Sequence, residues 1–174
     1  MIVSWLDSKV ANTLSEMWQE ACQNGNVIRF KIISNSMNPM IKLGDVVKVS
    51  SVEPSRICTG DIIAFIDNGN IIVHRVIGIF RHKQKLNFRH RGDAGSGSGI
   101  ITLKSLIGRV IVIERKGREI HLDTRINVIT SKLLGWRLKI KDSLDNKKYR
   151  PISNGIYLLT KPIWRLCRNF LFLQ

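Results

Sequence analysis

A serine and a histidine, such as Ser36 and His74 of this 174-residue chain, are residue types that could do covalent chemistry together. A serine hydroxyl is a weak nucleophile and reacts when a neighbouring base takes its proton. Imidazole suits that task near neutral pH, because its unperturbed pKa is about 6.5. A carboxylate on the far ring nitrogen would fix the tautomer and stabilise the imidazolium. Asp93 follows Ser36 and His74 in that chain order, and each of the three lies beside an expected strand end or turn, where groups carried by a rigid sheet can converge. Pro39 has no N–H to give to a β ladder, so the chain after Ser36 should leave the sheet and turn. That would open the Ser36 hydroxyl to solvent and free its amide to help bind an oxyanion.

The elements that must hold these groups show as changes of period. Val3, Leu6, Val10, Leu14, Met17 and Ala21 step by three and four, one face of an amphipathic helix stopped by Asn24-Gly25-Asn26. This helix, within residues 1–26, is expected to pack on the domain behind it, with Trp5 and Trp18 leaving membrane-surface contact as the alternative. Residues 27–123 carry short β-branched runs at 27–33, 46–49, 62–66, 71–79, 86–88, 107–113 and 118–122. Turn pairs such as Gly44-Asp45, Gly60-Asp61, Asn68-Gly69, Gly92-Asp93 and Lys116-Gly117 separate them. Many short strands with close turns predict a mainly β protein with an antiparallel core, and Asp67-Asn68-Gly69-Asn70 is a hairpin signal. Residues 94–99, Ala-Gly-Ser-Gly-Ser-Gly, read as a flexible loop with no structure of their own. Residues 124–174 read as a basic amphipathic helical tail, interrupted at 147–151 and resumed at 156–172.

The stretch Ser34-Asn35-Ser36-Met37-Asn38-Pro39, followed by Leu43-Gly44-Asp45, resembles the nucleophile box of the type I signal peptidases and their LexA-like cousins. Gly60-Asp61-Ile62-Ile63-Ala64-Phe65, then Val73-His74-Arg75-Val76-Ile77-Gly78, resemble the family's next two boxes, and Arg89-His90-Arg91-Gly92-Asp93-Ala94 its acidic box. Four ordered boxes over residues 32–113 make the signal specific; the flanks are not covered. The resemblance implies a signal-peptidase-like β core and a serine endopeptidase without a cofactor. Ser36 would be its nucleophile and His74 its general base, with Asp93 as the acid. Ser34 would supply, through its hydroxyl, a second oxyanion donor beside Ser36. Substrates would be extended signal or leader peptides with small residues before the scissile bond. Histidine at the base position is similar to the archaeal and endoplasmic-reticulum branch, since the bacterial and LexA-like members have lysine there. That branch usually has a second aspartate a few residues after its Gly-Asp, where this chain has Ser96-Gly97-Ser98-Gly99. A Ser36–His74 dyad therefore stands open beside the triad.

Each feature has a blander reading. Alone, Ser36 is a turn serine and His74 a core histidine; Asp45 and Asp61 are most simply turn residues. His82, His90 and His121 read as solvated residues among Arg and Lys, with His90 in reserve as base. Arg91-Gly92-Asp93 spells an adhesion tripeptide at a length close to chance. No histidine–carboxylate spacing suggests a metal. Cys22, Cys58 and Cys167 are sparse and odd in number, which suits a reducing compartment better than a disulfide framework.

With 28 Lys+Arg against 13 Asp+Glu the net charge is +15, and residues 125–174 hold 11 of the basic and two of the acidic residues. Such an excess attracts polyanions. A solvated helix face is the plain explanation; Trp136, Trp164, Phe170 and Phe172 among the cations would also suit an anionic membrane surface. Nucleic acid ranks last, since no recognition motif accompanies the charge. No run approaches the roughly 20 apolar residues of a membrane span, and the first 23 residues carry too many charges for a secretory signal. The expected location is cytoplasmic or peripheral to a membrane. Two other functions compete with a peptidase: a catalytically silent relative that binds peptides or membranes, and a LexA-like self-cleaving regulator, which lacks a preceding helix-turn-helix here.

Overall fold

The structure, a computed structural model, describes residues 13, 16–18, 20–21, 24–95 and 97–145. Its centre is one antiparallel eight-stranded sheet, so the expected mainly β architecture holds. The strands are β1 (Ile28–Lys31), β2 (Val46–Ser50), β3 (Ile62–Asp67), β4 (Asn70–His82), β5 (Lys85–Arg91), β6 (Ser98–Thr102), β7 (Leu106–Arg115) and β8 (Arg118–His121). They run in the order β1-β2-β7-β3-β4-β5-β6, with β8 paired to β7. One helix, α1 (Arg125–Asp145), follows the last strand.

Side-chain alternation buries both faces of β3, as period 2 requires of a central strand. Ile62 and Ala64 join a cluster with Val47, Val49, Ile113 and, from the turn after Ser36, Met37, Met40 and Ile41. Ile63 and Phe65 join a second cluster with Ile57, Val76, Phe88, Ile101 and Leu106. The β3–β4 hairpin forms where Asn68-Gly69 announced it: both residues have positive φ, and Asp67 faces Asn70 across the turn. Lys116-Gly117 does the same for β7–β8.

Two local expectations are corrected. β4 extends to His82 and β5 begins at Lys85, because Lys83 and Gln84 occupy the left-handed turn without a glycine or asparagine to mark it. The supposed flexible loop at 94–99 gives its last two residues to β6, where Ser98 faces Arg91 and Gly99 faces His90. The β-branched Ile100-Ile101-Thr102 carries that strand, and its glycines are compatible with strand geometry where a neighbouring ring needs the room.

The described helical residues before β1 include 16–18 and 20–21. The helix closes as its glycine suggests: Asn26 N–H bonds Ala21 O, and Gly25 has φ +79°. Trp18 packs edge-on against Phe30, with ring centroids 5.4 Å apart. Trp5, Trp164, Phe170, Phe172 and the helix expected at 156–172 lie outside the described residues. Among those described, no helix is long and apolar enough to cross a membrane.

Helix α1 turns its small and polar residues inward. Asn127, Thr130, Ser131 and Leu138 are buried, whereas Ile129, Leu133 and Trp136 form an exposed stripe. Gly135 explains the choice of face, because a Cβ there would sit 2.6 Å from Gly60 Cα. Gly60 is equally confined, its would-be Cβ lying 2.6 Å from Ser131 O. In an unconstrained helix Gly→Ala stabilises by about 1 kcal/mol. Here Gly135→Ala should instead destabilise by roughly 1–3 kcal/mol through overpacking against backbone. Urea denaturation of the two proteins reads the sign directly; a more stable alanine variant would contradict this packing.

Candidate active site

The turn that carries Ser36 is built as Pro39 predicts. Residues 35–41 leave the sheet through successive turns, with Asn38 N–H bonding Asn35 O at 3.0 Å and Ile41 N–H bonding Met37 O at 3.0 Å. Buried Met37 and Met40 pin the turn to the core. Asp45 closes its base: it accepts from the Lys42 amide and from the Arg115 guanidinium, which also reaches Met40 O. Ser36 itself is half-buried, and its hydroxyl lies 3.2 Å from that of Ser34.

His74 reaches the same place from β4. The chain position between them is Gly92, at the end of β5. A Cβ on Gly92 would lie 2.6 Å from Ser36 O and 3.1 Å from His74 Nε2, so the absence of a side chain lets the Ser36 turn and the imidazole close on one point. The Ser36 carbonyl is held there by the Ala94 N–H at 2.9 Å. Thus the Ser36 backbone, His74 and Gly92 meet, with Ser34 beside the Ser36 hydroxyl. Ser36 and His74 do not hydrogen-bond each other; the Ser36 hydroxyl pairs with that of Ser34.

Asp93 does not sit on the far nitrogen of His74, as a triad would require. Both of its oxygens are held by Arg75, Oδ1 by Nε at 2.8 Å and Oδ2 by Nη2 at 2.7 Å. Sheet register gives the reason. Arg75 faces Arg91 across the β4–β5 pair and Val76 faces His90. Side chains alternate, so Asp93, two residues after Arg91, shares a face with Arg75, while His90 becomes the diagonal neighbour of His74. The third hydrogen-bonding group of the site is therefore His90: its Nδ1 lies 3.0 Å from Nδ1 of His74.

This overturns the reading of His90 as a solvated strand residue, for it is buried at 8% exposure. Its ring packs on Phe65 at a centroid separation of 4.4 Å. On the other side it lies over Gly99, where a Cβ would meet His90 Nε2 at 2.6 Å. Its flanking Arg89 and Arg91 disguise it in the sequence. The hairpin register that pairs it with His74 depends on the unmarked Lys83-Gln84 turn and on the bulge between Val76 and Gly78.

Burial lowers the pKa of His74 below the ordinary 6.5, against a smaller opposing pull from the Asp93 charge. His90 is pushed down to about 4, by burial first and by His74 second. Both rings are thus neutral near pH 7, and one Nδ1 proton serves the contact between them. A neutral imidazole at Nε2 is the protonation state a general base needs.

No family model and no curated protein matches the chain.

The two depressed values link stability to pH. As pH falls below 6.5 the unfolded chain takes up protons that the folded rings refuse, so stability is full above that value and is lost as the pH approaches about 4 for His90. His90→Phe removes one of the two refusing groups. Between about pH 7 and pH 4.5 its thermal midpoint should fall less than that of the wild type; equal falls would contradict the buried neutral pair.

Proposed function

We propose that this chain is a serine endopeptidase of the signal peptidase I type, with Ser36 as nucleophile and His74 as general base. The observation that carries the reading is that the Ser36 backbone carbonyl and His74 Nε2 both lie against Gly92, with Nδ1 of His74 turned away into the protein. The four sequence boxes support it independently.

In this reading a substrate carbonyl enters beside Ser36, and the hydroxyl exchanges Ser34 for His74 as its partner. Catalytic hydrogen bonds often tighten in this way only when substrate binds. Ser36 Oγ attacks the carbonyl carbon while its proton passes to His74 Nε2. The tetrahedral oxyanion takes hydrogen bonds from the Ser36 amide and the Ser34 hydroxyl, whose oxygen already lies 3.2 Å from Ser36 Oγ. Collapse breaks the C–N bond, and His74 returns its proton to the leaving amine. A water, deprotonated by His74, then hydrolyses the Ser36 ester and restores the enzyme.

Strand β1 supports an extended substrate, since it is an edge of the sheet and leads directly towards Ser34 and Ser36. A peptide adding to that edge would bind by main-chain hydrogen bonds. Small residues before the scissile bond, as in signal and leader peptides, follow from the resemblance. The exposed stripe of Ile129, Leu133 and Trp136, beside exposed Lys132 and Lys139, suits a membrane-side location for this work.

Purified protein should cleave a fluorogenic peptide with an Ala-x-Ala site, and Ser36→Ala should abolish the cleavage. Ser34→Ala should lower kcat by roughly 10²–10³-fold, the usual loss for one oxyanion donor. Because burial lowers the His74 pKa, the rate should rise with a midpoint below pH 6.5 and level off above neutrality; a lysine base would keep gaining into the alkaline range. Peptide binding without turnover, unchanged by Ser36→Ala, would favour the catalytically silent alternative.

A further inference from the structure

The peptidase reading leaves open what holds His74 in the tautomer that can accept the serine proton. Free histidine prefers neither orientation strongly enough to be relied on, and the carboxylate that would ordinarily decide it is committed elsewhere. Both oxygens of Asp93 are taken by Arg75.

Resting on that reading, we propose that His90 is the positioning residue for His74: its Nδ1 accepts the His74 Nδ1–H and so leaves the lone pair of Nε2 facing Ser36. The assignment follows from proton counting. One proton lies between two Nδ1 atoms 3.0 Å apart. If it belonged to His90, neutral His74 would carry its proton on Nε2 and could not serve as base. With the proton on His74, the His90 proton moves to its own Nε2 and both rings stay neutral. When His74 takes the Ser36 proton, its Nδ1–H remains in place and still donates to His90.

The surroundings of His90 suit an acceptor that must not charge. From β3 it meets the Phe65 ring, from β6 the backbone of Gly99, and from β4 only His74 can titrate against it. Its flanking Arg89 and Arg91 are both bonded to Asp142 of α1. Burial accordingly keeps His90 neutral down to about pH 4. Being neutral, His90 orients His74 without offsetting the imidazolium charge; Asp93 contributes that through space, raising the His74 pKa. Orientation and charge, which one carboxylate supplies in a Ser-His-Asp triad, are here divided between two residues.

The test is the second-order rate at which a fluorophosphonate modifies Ser36, followed by intact mass, in wild type, His90→Phe and His90→Asn. The asparagine Oδ1 can take the place of Nδ1 as acceptor, whereas phenylalanine fills the space with no acceptor. His90→Phe should react at least about 10²-fold more slowly, within the range general-base catalysis supplies, and His90→Asn should recover most of that loss. Should His90→Phe not fold, nitrogen-15 NMR of the wild-type imidazoles provides the second reading: His74 must be the Nδ1–H tautomer, with scalar coupling across the two Nδ1 atoms. Wild-type rates in a folded His90→Phe, or an Nε2–H tautomer of His74, would overturn the role of His90 alone. Failure of the wild type to react at Ser36 would overturn the peptidase reading and this inference with it.

Discussion

Arg75 and Arg91 pair across β4 and β5 with both side chains shut off from solvent, and each meets a carboxylate, Arg75 that of Asp93 and Arg91 that of Asp142. Like charges in that position repel unless neutralised, so the His74 end of the hairpin depends on Asp93 and Asp142 being where they are. Asp93 is the more consequential. Its bidentate pair with Arg75 fixes the Gly92-Asp93-Ala94 loop, and Ala94 in turn holds the Ser36 carbonyl. Arg75 also bonds the carbonyl of Gly60, and Gly135 of α1 packs against the Cα and nitrogen of that same residue. A continuous set of contacts thus runs from the helix to the Ser36 turn. A buried pair of this kind is weak evidence for stability, but removing one partner strands the other at a cost of about 3–5 kcal/mol.

The same register that commits Asp93 to Arg75 delivers His90 to His74. Strand alternation allows no compromise: a residue paired with the arginine face is denied to the histidine face. The outcome is a histidine pair in an aromatic, desolvated setting, with Phe65 against both rings. Desolvation keeps both neutral near pH 7, which is what a base requires and what a carboxylate partner would have opposed by stabilising the imidazolium.

Much of the scaffold could be read from residues alone. β-Branched runs and Asn-Gly or Lys-Gly turns placed most of the strands, because local chemistry dictates them. Pro39 foretold the turn after Ser36, since a missing N–H acts wherever it falls. β6 was hidden by its glycines and serines, and the β4–β5 turn by two residues in the left-handed region that carry no signal for it. Ser34, Ser36 and His74 stood out through their boxes; the Ser36 backbone and His74 Nε2 both lie beside Gly92, and the Ser34 hydroxyl lies beside that of Ser36. The misreading of Asp93 and His90 had one cause. Adjacent residues on a strand point to opposite faces, and which of them meets His74 depends on a hairpin register and a bulge that no short motif encodes.

The most direct test of Ser36 and His74 as a working pair is a crystal structure of the protein treated with a peptide boronate ending in alanine. A bond from Ser36 Oγ to boron, His74 Nε2 within about 2.6–3.2 Å of a boronate oxygen or Oγ, and the Ser34 hydroxyl on a second boronate oxygen is the expected result. A boronate bound elsewhere, or bound to Ser36 with the His74 ring out of reach, would contradict it.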